Sequence, residues 1–228
     1  MIEIILLGFI LGFLMPITAS RFGKVLPADP GMILLRLWHL PHFPKTGDVY
    51  RARLLRKKWM KLWGYSVLWG VIMAVLFGLT PVFLNPTVHF VAYFFFVIVA
   101  YCIVVDIKYF LLPDFFTIPL LLFGFYASLS SDVLLPVNSV SGAFFGYLVA
   151  VVAVLLTGFV QQSELGAGDV KMMTALGAWL GVSGLNYTLL LSFFFFSIPA
   201  FFYEQKRGAY GPALGMAGLI TFFIIYAK

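Results

Sequence analysis

Apolar residues run through this chain in stretches of roughly 17 to 25 positions that recur from end to end, with polar residues gathered in the gaps between them. Each stretch is long enough to cross a hydrocarbon core of about 30 Å as a helix. The pattern predicts eight spans, at roughly 2–19, 62–84, 87–105, 115–130, 139–160, 170–184, 186–203 and 210–227. The expected fold class is therefore all-α, a polytopic membrane protein of about eight transmembrane helices. An N-terminal two-helix region over 1–84 precedes a six-helix core over 85–228.

Composition supports this reading. With 62% hydrophobic and 11% charged side chains, the 228 residues lie far from the soluble norm of about 45–50% apolar and about 25% charged, so an ordinary soluble domain is excluded. The net charge of +6 suggests a nucleic-acid surface only until its placement is inspected. Ten of the 15 Lys and Arg fall between Arg21 and Lys61, which assigns that loop to the cytoplasm by the positive-inside rule. The N-terminus and C-terminus are then outside, and loops 106–114, 161–169 and 204–209 are inside. Lys108, Lys206 and Arg207 agree with that topology, Lys171 sits at the inner edge, and Lys228 is the one positive placed outside.

The basic segment 20–61 carries Pro27, Pro30, Pro41 and Pro44, which interrupt any long helix, and ends in RARLLRKKWMKLW. There Leu54, Leu55, Trp59, Leu62 and Trp63 can share one side of a helix entering the bilayer, an interfacial anchor facing anionic lipid. The single cysteine, Cys102, lies in an apolar run, so one chain builds neither a disulfide framework nor a Cys-based zinc site. His39, His42 and Asp48 lack a further convergent ligand, and no metal is assigned; His89 reads as an interfacial polar group. The first stretch starts with Glu3 and no basic region, as expected of a retained helix rather than a signal peptide. The run 193–196 of four Phe reads as lipid-facing bulk.

Nine acids remain to be placed. Glu3 and Asp132 fall outside; Asp29, Asp48 and Glu204 fall in basic loops. Asp106, Asp114, Glu164 and Asp169 map to the cytoplasmic edge, although they come from two distant parts of the chain. Asp106 and Asp169 each abut an apolar helix. A carboxylate at a helix centre costs about 2.5–3.5 kcal/mol on insertion scales, less toward the interface, so such residues face a bundle interior or a water-filled cavity. Two carboxyl groups meeting in a partly desolvated site favour sharing one proton. That state suits peptide hydrolysis: the ionised member takes a proton from water and the protonated one donates to the carbonyl oxygen.

In Gly166-Ala167-Gly168-Asp169, the two glycines permit close backbone approach and present Asp169 at a helix start. The bland alternative is a Gly-rich loop with Asp169 as helix N-cap. Taken with Asp106 and the Leu112-Pro113-Asp114 string, 63 residues earlier at the same face, the pattern becomes specific.

On these residues the chain resembles the type IV prepilin peptidases, which are GxGD intramembrane aspartyl proteases. The resemblance is carried by Asp106, Leu112-Pro113-Asp114, Thr117-Ile118-Pro119, Gly166-Ala167-Gly168-Asp169-Val170-Lys171 and Tyr210-Gly211-Pro212-Ala213-Leu214, which together span about half of the chain. It implies Asp106 and Asp169 as the catalytic pair. Asp114, Lys171, Gly166, Gly168, Pro113 and Pro212 take motif or supporting positions. The implied reaction removes the short basic leader of a prepilin or pseudopilin after a glycine, at the cytoplasmic face of a prokaryotic inner membrane, with no cofactor for the peptidase step. Bifunctional members carry a four-cysteine zinc-binding element in the first cytoplasmic loop; that loop has no cysteine here, so methylation by S-adenosylmethionine is not expected. Glu164 lies two residues before Gly166 rather than the usual three, and no role is transferred to it.

The rivals are an ion-coupled transporter, which calls for acids near the bilayer midplane and a repeat between halves, and an inactive pilus or secretion assembly factor. Signal-peptide-peptidase-like enzymes share GxGD and the Pro212-Ala213-Leu214 string. Val105 in place of a Tyr before Asp106, and the Lys171 and Asp114 contexts, favour the prepilin class.

Overall fold

A computed structural model describes residues 1–22, 49–130, 134–160, 166–203 and 210–227. Among them the chain forms seven α-helical runs: α1 Ile2–Phe22, α2 Val49–Phe83, α3 His89–Tyr109, α4 Asp114–Ser130, α5 Pro136–Val160, α6 Ala167–Tyr203 and α7 Gly211–Tyr226, with a short 3-10 turn at Pro86–Val88. Five of these helices are long and apolar enough to cross a membrane, and two shorter apolar helices, in α4 and α7, accompany them. The protein is thus all-α and of membrane type. The anchor expected at RARLLRKKWMKLW is helical and continuous with the second span, so α2 begins at Val49 rather than near 62. Most of the basic loop, with His39, His42 and Asp48, lies outside the described residues, as do Asp132, Glu164, Glu204, Lys206 and Arg207.

The chain divides into two compact units, Met1–Gly78 and Leu79–Lys228. In the first, α1 runs antiparallel to the body of α2. Gly8 sits on Met73 and Phe77, Gly12 on Trp69 and Met73, and Phe9 lies over Gly70. Small residues on apolar helices let backbones approach where lipid leaves no hydrophobic drive between helices. Phe13 meets Trp63 edge-on, with ring centroids 5.4 Å apart.

The second unit holds the acids. Its centre is an aromatic cluster in which Phe95 of α3 stacks on Phe222 of α7 at 4.6 Å and leans on Trp179 of α6 at 5.0 Å. The α5 and α6 backbones touch through Gly142 and Gly177, where a Cβ on either glycine would fall within 3.0 Å of the other's backbone.

The runs expected at 170–184 and 186–203 are one element, Ala167–Tyr203, broken at Gly181 (φ 67°, ψ −177°). The chain reverses there. Along α5, Gly142 meets Gly177 and Gly146 meets Met173, as in an antiparallel pair, yet the Leu185 side chain also reaches Gly146. A straight continuation would carry Leu185 away from Gly146, so the second half of α6 folds back beside the first. This backbone conformation is essentially restricted to glycine. The expected boundary fell near residue 185; Gly184, close by, packs against Ile225. A helix end leaves carbonyls without intrahelical donors. Just before the reversal, Ala178 O accepts from Ser139 Oγ at 2.7 Å and Trp179 O from Tyr226 Oη at 2.7 Å. The Trp179 indole N–H donates to Leu120 O at 2.7 Å, so this buried corner satisfies its polar groups internally, as hydrocarbon surroundings demand.

Candidate active site

Asp106 lies in the last turn of α3 and is 5% exposed. Helix α3 ends at Phe110, which adopts the left-handed conformation (φ 53°, ψ 40°) and returns its N–H to Asp106 O. This is the αL form of helix C-cap, unusual for a bulky residue. Pro113 disfavours helical geometry at Leu112 before it, and its carbonyl receives the N–H groups of Phe116 (3.0 Å) and Thr117 (3.3 Å) to start α4. The connection 110–113 is therefore short and fixed at both ends.

Asp169 is the third residue of α6. It is not the N-cap: Gly166 occupies that place. The Asp169 N–H donates to Gly166 O at 2.9 Å, while the Gly166 N–H faces the Asp169 carboxylate and favours its charged form. Gly166 has no side chain to complete a capping box, so Asp169 supplies only the acidic half of one, with its carboxylate at the positive end of the helix dipole.

A third helix start completes the site. At the beginning of α7 the Gly211 backbone faces the Asp106 carboxylate, and its N–H favours the charged form. A Cβ on Gly211 would lie 2.5 Å from Asp106 Oδ2, so only glycine permits this approach. Pro212 occupies the first turn, where its missing N–H costs no intrahelical bond. Asp106 and Asp169 are close enough for their charges to interact. Leu112, 7% exposed, fills the space between the two glycine-bearing helix starts: its Cβ faces Gly168 and its Cδ1 faces Gly211. Gly168 is thus explained by packing against Leu112 rather than by turn geometry.

Asp114 and Lys171 join across the site's rim in an ion pair of 2.5 Å, with side-chain exposures of 56% and 44%. The pair links the first turns of α4 and α6. At that exposure it contributes at most about 1 kcal/mol. Beside Asp169, the Tyr210 hydroxyl lies 2.6 Å from Ser192 Oγ. Of the expected residues, Asp106, Asp169, Gly166, Gly168, Pro113, Asp114, Lys171 and Pro212 all come to this one end of the second unit. Sequence reasoning quoted Leu112, Tyr210 and Gly211 within motif strings without giving them a role, and did not name Ser192. For Ser192 the available signal was a polar residue in an apolar run. Among the described residues no group of three His, Cys, Asp or Glu could hold a metal ion.

Residues 93–201 match the model of the type IV leader peptidase family. The match takes in Asp106, Asp114 and Gly166–Lys171 and stops short of the Tyr210–Leu214 block. Among curated proteins, the chain is 36% identical over 118 residues to a prepilin leader peptidase/N-methyltransferase of Neisseria gonorrhoeae, covering 49% of this chain and 40% of the relative. It is 42% identical over 92 residues to one from Klebsiella pneumoniae, covering 39% of each. It is 30% identical over 132 residues to one from Vibrio cholerae, covering 54% of this chain and 51% of the relative. The chain thus spans about half the length of the curated relatives it matches, or less. No solved structure matches. The resemblance to type IV prepilin peptidases read from the motifs holds in these comparisons.

Proposed function

We propose that this protein is a membrane-embedded aspartyl endopeptidase that removes the short basic leader of type IV prepilins or pseudopilins, with Asp106 and Asp169 as the catalytic pair. One observation carries the reading: two carboxyl groups from distant parts of the chain converge at one end of the second unit, each against a glycine at a helix start whose backbone N–H favours the charged form. In the proposed reaction the ionised carboxylate takes a proton from water as the water oxygen attacks the scissile carbonyl carbon. The protonated carboxyl gives its proton to the carbonyl oxygen. Collapse of the tetrahedral intermediate breaks the C–N bond: the amine leaves with a proton from the first carboxyl, one hydroxyl of the intermediate returns its proton to the second carboxylate as the C=O re-forms, and the pair is back to one shared proton.

The proposed setting is a prokaryotic inner membrane crossed by eight spans, the reversal at Gly181 dividing α6 into two, with both termini outside and the site at the cytoplasmic face. The ten basic residues between Arg21 and Lys61 support that orientation. Prepilin or pseudopilin chains and membrane lipids are the proposed partners, and no nucleic acid is invoked. The peptidase step uses no cofactor in this scheme. Methyl transfer from S-adenosylmethionine is left out, because the one cysteine, Cys102, is buried in α3 and the first loop has no four-cysteine element.

Reconstitution with candidate prepilins tests the reading: cleavage after the leader glycine is followed by mass spectrometry, and Asp106→Asn and Asp169→Asn each abolish it while leaving the protein in the membrane. Wild-type cleavage by either variant refutes the pair. A carrier of ions instead shows flux in the same vesicles without leader removal.

A further inference from the structure

The start of α7 presents the Gly211 N–H to Asp106, and its position is set by a hydroxyl pair at some distance from either carboxylate. Ser192 lies on the returning half of α6 and is fully buried. Its Oγ has one proton and two neighbours: Leu189 O at 2.8 Å and the Tyr210 hydroxyl at 2.6 Å. A carbonyl oxygen only accepts, so both contacts are satisfied when Ser192 donates to Leu189 O and Tyr210 donates to Ser192. That direction commits the Tyr210 proton to Ser192 and withholds it from Asp169 and from any substrate. The Tyr210 ring is further braced edge-on by Phe196, with centroids 5.6 Å apart. Tyr210 then passes directly into Gly211, whose backbone lies against the Asp106 carboxylate.

We infer that Ser192 and Tyr210 form a positioning strut for the aspartyl pair: the hydroxyl bond between them pins the residue just before α7 to the returning half of α6, and so fixes the Gly211 N–H against Asp106. Neither is a catalytic residue; both act through Gly211. The strut rests on the proposed function, since it assigns these residues to the same reaction. It also gives the reversal at Gly181 a purpose, because only a chain that turns back there brings Ser192 to the end of the unit where Asp169 begins.

The test uses the full chain in proteoliposomes with a prepilin. Ser192→Ala and Tyr210→Phe remove the bond without adding volume. Each is expected to lower kcat per folded molecule by about tenfold to 100-fold, the scale of a displacement of up to about 1 Å in a reacting group, with KM within about twofold. The double variant is expected to fall no further than the slower single variant, because one bond is lost in all three. Infrared spectroscopy supplies a readout that packing alone leaves unmoved: the Asp106 carboxyl band, identified by its loss in Asp106→Asn, shifts in Ser192→Ala. Wild-type kcat in both single variants, an unmoved Asp106 band, or additive losses overturn the strut. Failure of the wild-type protein to cleave, or full activity of Asp106→Asn, overturns the proposed function instead, and the infrared band still decides whether Ser192 positions Asp106.

Discussion

Replacing Gly211 by Ala adds a single methyl group at the place where α7 meets Asp106. The new Cβ would lie 2.5 Å from Oδ2 and 3.0 Å from Cγ of Asp106, where ordinary van der Waals contact begins at 3.4 Å. Either the carboxylate or the helix start must therefore retreat by about 0.9 Å. Gly211 has an ordinary negative φ, since Gly181 is the glycine found at positive φ among the described residues, so Ala is compatible with the backbone. Its better helix propensity returns about 0.5–1 kcal/mol against about 1–3 kcal/mol for overpacking. Net destabilisation is then at most about 2.5 kcal/mol. Catalysis is far more exposed, because a misplacement of about 1 Å costs about 10²-fold, or about 2.7 kcal/mol of transition-state stabilisation. The expected variant folds, inserts and melts within a few degrees of the parent, yet removes prepilin leaders about 100-fold more slowly. Single-turnover cleavage in proteoliposomes, followed by gel shift and normalised to folded protein, measures this directly. Wild-type kcat in Gly211→Ala refutes the placement of Asp106 in the reaction, as does a variant whose lost activity is accounted for entirely by unfolded protein.

Gly181→Ala is the converse case: the residue is forced into a glycine-only conformation far from the carboxylates, so about 1–3 kcal/mol of stability is lost while folded molecules keep their kcat; thermal melting with an activity assay separates the two. Asp114→Asn or Lys171→Met breaks an exposed ion pair and is expected to change stability by less than about 1 kcal/mol, with high salt reproducing part of the effect in the parent; a loss above about 3 kcal/mol in chemical denaturation contradicts a rim location. Tyr226→Phe leaves the buried Trp179 carbonyl without its side-chain donor and should cost about 1–3 kcal/mol, read from melting, with leader cleavage per folded molecule unaltered.

The convergence of the acids was legible in the sequence because it needed only the count of apolar runs and the side on which each gap falls. That logic brings Asp106 and Asp169 to one edge without any knowledge of packing. The reversal inside Ala167–Tyr203 was legible as two spans but misplaced by about four residues, since hydrophobicity along the chain does not register the positive φ at Gly181 that turns it. The N-cap reading of Asp169 failed for a related reason: the helix starts at Ala167, and a capping box puts its acid three residues past the cap. Leu112, Gly211 and Ser192 were beyond reach because their roles depend on the register between helices that are remote in sequence. Leu112 touches Gly168 and Gly211, and no period or spacing in the chain connects those three.

The aspartyl pair is assembled from helix ends, which has a physical logic. Inside a helix every backbone N–H is engaged, so a carboxylate near hydrocarbon finds free donors only at helix starts, where four N–H groups lack intrahelical acceptors. Gly166 and Gly211 stand at two such starts, and the N–H of each favours the charged form of one of the two aspartates. The absence of a Cβ at Gly211 and Gly168 lets these starts close on Asp106 and on Leu112. Such a site must lie toward the edge of a bundle rather than at its middle, because helix starts of apolar spans lie there. In the proposed reaction the scissile bond just precedes the apolar segment of the pilin, so a substrate whose apolar segment sits in the bilayer presents that bond at the same depth. Moving the cleavage site four residues into the apolar segment, about 6 Å along a helix, should therefore abolish processing by the wild-type protein. Efficient cleavage of such a substrate would show that the pair acts deeper than its helix-end construction allows.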